Sequence, residues 1–272
     1  MVKRLLFCFL LFVICLSTKA QSTTLIPHSF AAGNASVANY NEWVSFHTPA
    51  SLASEDGISL QLLAENRYFA KELFNEAASF AIHTKPLNIG ASFAHFGYEG
   101  YHEMMAGVAF ARAFVKNKLL IGIQANYYTI YLSELDKYKG TVFAQVGIQG
   151  EVVRNFYIGF HAFNPTFSKI KSTAIVQKIP SIFSLGTKHV INEKVNWTAQ
   201  LDKEIQGRFR WALGVEYLPI EQLSLRIGGY GLSFVPTLGV GLKFGEFRFN
   251  LQCEYHQKLG LCTLGFVSYR FK

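Results

Sequence analysis

From Ile58 to the C-terminus, large apolar residues alternate with small or polar ones. In Arg208-Phe209-Arg210-Trp211-Ala212-Leu213-Gly214-Val215-Glu216-Tyr217 every odd position is bulky and apolar, and every even one is charged or tiny. The same period runs through Glu246-Phe247-Arg248-Phe249-Asn250-Leu251-Gln252-Cys253-Glu254-Tyr255. A period of two is that of a β-strand, whose side chains point to opposite faces in turn. No helical pattern is available to cover the apolar face of such a sheet. Lipid can cover it if the sheet closes on itself and leaves no backbone edge unpaired. The runs predict about 14 strands of roughly 9–12 residues, the length that tilted membrane strands need. They fall near 58–68, 73–84, 88–97, 101–114, 118–131, 141–152, 156–164, 181–190, 194–203, 208–218, 222–230, 235–244, 246–256 and 261–271. The fold class is therefore all-β, a transmembrane antiparallel barrel over residues 58–272.

Tight polar breaks at Lys85-Pro86, Lys116-Asn117, Arg154-Asn155, Asn192-Glu193, Ile220-Glu221 and Gly245 occur at every second junction, as short periplasmic turns would. The two longest junctions, 132–140 and 165–180, would then be outer loops. Alternation assigns Leu213, Leu225, Ile227, Leu238, Val240 and Leu251 to the lipid face. The opposite face holds a polar lattice whose charged members are Glu65, Arg67, Glu151, Asp202, Arg208, Arg210, Glu216, Arg226, Arg248 and Glu254. Both signs are interspersed there. That favours a packed, salt-bridged interior over a pore selective for one ion sign. Tyrosines near strand ends (Tyr98, Tyr101, Tyr127, Tyr128, Tyr131, Tyr217, Tyr230, Tyr255) are expected as interfacial belts.

Two segments precede the alternation. Lys3 and Arg4, the apolar run Leu5–Leu16 and the small residues before Gln21 make residues 1–20 a secretory signal peptide, too short an apolar run to be an anchor helix. Residues 21–57 carry small residues, scattered apolar groups and Pro49, and suit a compact irregular plug. Removing the leader lowers the net charge from +8 to +5, which calls for no nucleic-acid partner. Of four cysteines, only Cys253 and Cys262 remain. Alternation puts them on opposite faces, so two free thiols are expected.

With plug and strands laid out, the chain resembles the FadL/PorV group of outer-membrane barrels, in the form found in Bacteroidetes-type bacteria. The residues that carry the resemblance are Ala32-Gly33-Asn34-Ala35-Ser36-Val37-Ala38 and His47-Thr48-Pro49-Ala50-Ser51-Leu52-Ala53. The second stretch is similar to that group's Asn-Pro-Ala-x-x-Leu-Ala hatch motif, with Thr48 in place of Asn. In order behind them come Ile179-Pro180-Ser181, Gly214-Val215-Glu216-Tyr217, Leu225-Arg226-Ile227-Gly228 and Gly239-Val240-Gly241-Leu242. The resemblance implies a barrel of 14 strands in the outer membrane of a Gram-negative cell, closed by an N-terminal hatch in which Thr48, Pro49, Ala50, Leu52 and Ala53 take part. It implies one of two roles. The first is that of a type IX secretion accessory whose partners are a secretion pore or secreted cargo. The second is a channel for long-chain fatty acids or other hydrophobic small molecules.

Enzymatic chemistry finds little footing. His83 and Ser79 share a strand face, and Ser92 or His95 could lie across the hairpin, as in a lipid-modifying enzyme. No acid is spaced to orient such a pair. The eight histidines show no metal-ligand spacing, and no cofactor is expected.

Overall fold

In a computed structural model, which describes residues 26–39, 46–133, 137–171 and 176–271, the strands close on themselves. The signal-peptide expectation, residues 1–20, lies outside the described residues, as do positions 21–25 and 40–45 of the plug expectation. The strands are β1 (Ile58–Arg67), β2 (Phe74–His83), β3 (Asn88–Tyr98), β4 (Tyr101–Phe114), β5 (Leu119–Leu132), β6 (Lys137–Val153), β7 (Phe156–Phe163), β8 (Lys169–Lys171) and β9 (Val176–Lys178). They continue with β10 (Ile182–Asn192), β11 (Val195–Glu204), β12 (Phe209–Ile220), β13 (Leu223–Tyr230), β14 (Val235–Phe244), β15 (Phe247–His256) and β16 (Gly260–Phe271). Fourteen of them form one antiparallel barrel in sequence order, sealed by β1 against β16; β8 and β9 make a separate hairpin inside the β7–β10 loop. Closure runs from Ile58↔Phe271 to Arg67↔Cys262, so the barrel itself has no open edge.

The alternation maps onto the two faces as expected. In β1 the burial alternates strictly from Ile58 to Glu65, with Leu60 and Leu62 exposed and Gln61 and Glu65 buried. Ile227, Leu238 and Leu251 are all well exposed, at 60–61 %. Such a ring of bare aliphatics is stable only if lipid solvates it.

Turn chemistry sets the end where the chain leaves the barrel, here called the terminal end. Asn155 adopts a left-handed φ of 66° and Gly245 one of 58°, while the Asn192 side chain accepts from the backbone N–H of Lys194 and Val195. The opposite, loop end departs from expectation. Leu132 and residues 137–140 are strand, because β5 and β6 extend into this stretch with Tyr131 paired to Tyr138 and Leu132 to Lys137. Outward-facing His102, Tyr131 and Tyr138 stack there, His102 on Tyr131 at 4.7 Å, and supply the cross-strand contacts that extend the hairpin. Cys253 and Cys262 are free, one half-buried and one buried, paired with Thr263 and Glu254 respectively.

An arginine at position 227 tests the lipid face directly. Ile227→Arg, at mid-strand, should lower the free energy of folding into lipid vesicles by about 2–4 kcal/mol, and Tyr255→Arg near a strand end by about 0–1 kcal/mol, read from denaturant titrations.

Candidate functional site

The lumen is built by three sets of residues: glycines in the wall, the polar lattice, and an apolar cluster toward the loop end. Gly122↔Gly147, Gly159↔Gly186 and Gly214↔Gly228 are directly opposed across neighbouring strands and face inward. Each pair receives backbone of the N-terminal segment. A Cβ on Gly122 would lie 2.3 Å from the Pro49 carbonyl oxygen, on Gly159 2.2 Å from that of Val37, and on Gly214 2.2 Å from that of Ala32. Glycine is the one residue that permits backbone to approach a strand so closely. Residues 26–39 and 46–57 thus follow the inner wall from β15 past β14, β12, β10 and β6 to β3.

An irregular segment has no ladder to satisfy its backbone, so the lattice does it instead. Gln252 donates to the Ser29 carbonyl at 2.8 Å, Thr198 to that of Ala32 at 3.2 Å, and Gln149 to that of Val37 at 2.6 Å. Gln200 and Thr237 accept from the N–H groups of Val37 and Gly33. Asn88 caps the end of the segment, donating to Leu52 at 2.7 Å and Glu55 at 2.8 Å. Pro49 opens a two-turn 3-10 helix over Pro49–Ser54; Thr48, Ala50 and Leu52 are buried against β4–β6, and Ala53 is half-buried.

The charges pair off. Glu65 and Arg67 sit 2.9 Å apart, Arg210 and Asp202 2.6 Å, and Arg226 and Glu216 2.7 Å. Breaking a buried pair of this kind typically costs about 3–5 kcal/mol. Arg67 and Arg226 also donate to the Ile26 and Phe30 carbonyls, so the ion pairs hold the segment as well as one another. His28 supplies what sequence reasoning missed. Its Nδ1 lies 2.6 Å from Glu65 and 3.5 Å from Glu254, and Tyr230 donates to Glu254 at 2.7 Å. A lone histidine in an irregular stretch carries no signal of this; the partners come from β1, β13 and β15.

Several expected lattice members lie elsewhere. Glu151 is half-buried at the terminal-end rim, accepting from the Asn155 N–H and facing Lys118 at 3.7 Å, because a bulge between Glu151 and Val153 ends the regular register. Arg208 is exposed in the turn before β12, which begins one residue later. Arg248 is half-buried in a small cleft of about 30 Å³ at the terminal end, beside Glu55, Glu246 and Arg270. Tyr101, Tyr128 and Tyr230 are not belt residues. They turn inward and donate to Glu103, Glu103 and Glu254, each carboxylate buried to 3 % exposure. Ser79 donates to Gln61, His83 is exposed four residues on, and His95 faces away from Ser92, so no serine–histidine pair forms among them.

The apolar set is the least expected. Phe96, Met105, Ile130, Phe143, Phe163 and Phe266 point inward from the walls and pack with Phe30 and Phe46 of the segment and with Ile170 and Ile179 of the β7–β10 loop. Phe30 packs tilted against Phe266, their ring centroids 4.4 Å apart.

These features define the class: a closed 14-strand membrane barrel with an N-terminal segment against its inner wall and an apolar upper lumen. No family model matches the sequence, and no curated protein does. Solved structures do. The chain is similar to the toluene transporter TodX of Pseudomonas putida, with a TM-score of 0.62 and 12% identity, covering 91% of this chain and 97% of that one. A Pseudomonas aeruginosa FadL homologue gives a TM-score of 0.63 at 11% identity, over 91% and 99% of the two chains. The outer membrane protein Omp33 of Acinetobacter baumannii follows at 0.54 and 9%, over 79% and 98%. The fold is FadL-like.

Two outcomes test the wall–segment contact. Gly122→Val and Gly214→Val should leave the barrel strands protected from hydrogen exchange while residues 30–38 and 46–54 lose protection. Burial lowers the affinity of His28 for a proton, but the Glu254 and Glu65 carboxylates outweigh it, and its pKa is raised. A raised pKa stabilises fully below the ordinary imidazole value of about 6.5, and the contribution is lost as pH rises through the folded value. Exchange protection at residues 26–34 should therefore weaken as pH rises above the ordinary imidazole value of about 6.5, and His28→Ala should flatten that dependence.

Proposed function

We propose that the protein is a FadL-type channel of the outer membrane that admits small hydrophobic molecules, with residues 21–57 as a hatch that closes the lumen at rest. On this reading residues 1–20 are the export signal, removed to leave a chain whose loop end faces the outside. The observation that carries the proposal is the apolar cluster in the upper lumen. An aqueous pore has no use for Phe96, Phe143 and Phe163 turned away from lipid and into its own interior, whereas an apolar ligand does. Ile170 and Ile179 place the β7–β10 loop over this cluster as a roof. Among the neighbouring solved structures, TodX is a toluene transporter, described in a mutant form as a monoaromatic hydrocarbon channel, which supports the same reading.

Entry would pass under the β8–β9 roof into the cluster. Exit would require displacement of the segment beside Pro49, where glycine contacts, side-chain hydrogen bonds and the packing of Leu52 on Ala81, Ala109 and Ala111 hold it. The lattice residues Glu65, Arg67, Asp202, Arg210, Glu216, Arg226 and Glu254 would then be the seat of the hatch rather than an ion filter. A role as a type IX secretion accessory, which the resemblance also implied, finds no support in these neighbours. The long loop that would present itself to a secretion pore or cargo has Ile170 and Ile179 committed to the luminal cluster instead.

Two measurements test this. In planar bilayers the intact chain should conduct weakly, and deletion of residues 30–53 should raise conductance several-fold; a large conductance in both would show a lumen open irrespective of the segment. Proteoliposomes carrying the intact chain should take up toluene faster than empty ones, and equal rates would remove the channel reading.

A further inference from the structure

Two adjacent rows of the inner wall differ in chemistry. Toward the loop end, Ala94, Met105 and Tyr128 are register partners within the apolar cluster. One row toward the terminal end, Ser92, Gly107 and Asn126 are partners, and below Asn126 Gln124 faces Gln145. Gly107 lets this polar row bunch together. A Cβ there would lie 2.5 Å from Gln124 Nε2, 2.6 Å from Asn126 Oδ1 and 2.8 Å from Ser92 Oγ. Gln124 donates to Asn126 at 2.8 Å and to Ser92 at 3.4 Å, and Gln145 Oε1 lies 3.0 Å from His161 Nε2.

The remaining half of each amide is unpaired. Gln124 Oε1, Asn126 Nδ2 and Gln145 Nε2 have no hydrogen-bond partner among the described residues, on side chains that are 2 %, 1 % and 0 % exposed. Inverting any of these amides exchanges which atom is unpaired and still leaves one on each. Buried polar atoms of this kind are ordinarily satisfied. Here one acceptor and two donors sit together, next to an apolar wall, with the charged pairs elsewhere. Arg67, Arg210 and Arg226 are already held by Glu65, Asp202 and Glu216. A carboxylate brought to the amides would be buried without a cation, at a large desolvation cost.

We propose that Gln124, Asn126 and Gln145 form a head-group site for a ligand with an apolar body and an uncharged polar end that both donates and accepts, such as an alcohol or phenol. The apolar body lies against Met105 and Phe143, and the hydroxyl accepts from Asn126 or Gln145 and donates to Gln124. This rests on the channel reading above and narrows it, from hydrophobic molecules in general to hydroxylated ones over carboxylates.

The test compares three probes of similar shape, 3-phenylpropanol, 3-phenylpropanoate and butylbenzene, by titration calorimetry with the full mature chain in nanodiscs. The alcohol should bind about tenfold more tightly than the hydrocarbon, the scale of one net hydrogen bond, and the carboxylate most weakly. Gln124→Met and Asn126→Leu should each bring the affinity for the alcohol close to that for the hydrocarbon, with heat-modifiable mobility on gels confirming folded barrels. If either variant fails to fold, the ranking on the unaltered chain decides. Equal binding of alcohol and hydrocarbon would overturn the head-group site, leave the amides to buried water and leave the channel reading standing. Tightest binding of the carboxylate would overturn the site as well. Binding of none of the three would remove the channel reading together with the site.

Discussion

The contact on which this molecule depends is between backbone and backbone. Three opposed glycine pairs let residues 26–39 and 46–57 lie directly on the inner wall, closer than any side chain would permit. From that approach the rest follows. A segment so placed exposes carbonyls and N–H groups to a lumen that has no ladder for them. The wall must therefore supply side-chain donors and acceptors, which Gln149, Thr198, Gln200 and Gln252 do. Unpaired charges in the same confined space would be costly, and Glu65, Asp202 and Glu216 are paired there with Arg67, Arg210 and Arg226.

That arrangement separates two tasks within one lumen. The strands from β11 to β15 carry most of the charged pairs that grip the first part of the segment. The strands from β16 through β1 to β7 carry most of the apolar wall, with the uncharged amides at its lower edge. A ligand in the apolar half need not compete with the ion pairs, and the segment can be held firmly without a charged ring across the path. His28 joins the two halves, since Glu65 belongs to β1 and Glu254 to β15.

The β7–β10 loop closes the picture from the other end. Its hairpin is short, but Ile170 and Ile179 are buried at 3 % and 8 % beneath it. A loop read from sequence as an outer excursion is thereby part of the lumen's roof. The same effect explains Tyr101, Tyr128 and Tyr230. Near the rim of a strand a tyrosine suits a lipid headgroup, but parity turns these three inward, and a buried carboxylate is then the partner that satisfies the hydroxyl.

The alternation alone determined the strand number, the closure against lipid and which side of each strand faces in. These are local properties, because side-chain parity is set by the chain's own period. It therefore placed Glu65, Asp202, Glu216, Arg226 and Glu254 inward without any knowledge of their partners. It missed Glu151 and Arg208, where a bulge and a turn break the period. What only the tertiary structure decided are the relations between distant strands: the facing of glycines 122 and 147, the capture of His28 by two strands nearly 190 residues apart, and the amides gathered over Gly107. Those depend on register and closure, and no periodicity within a single strand encodes where another strand's side chains will fall.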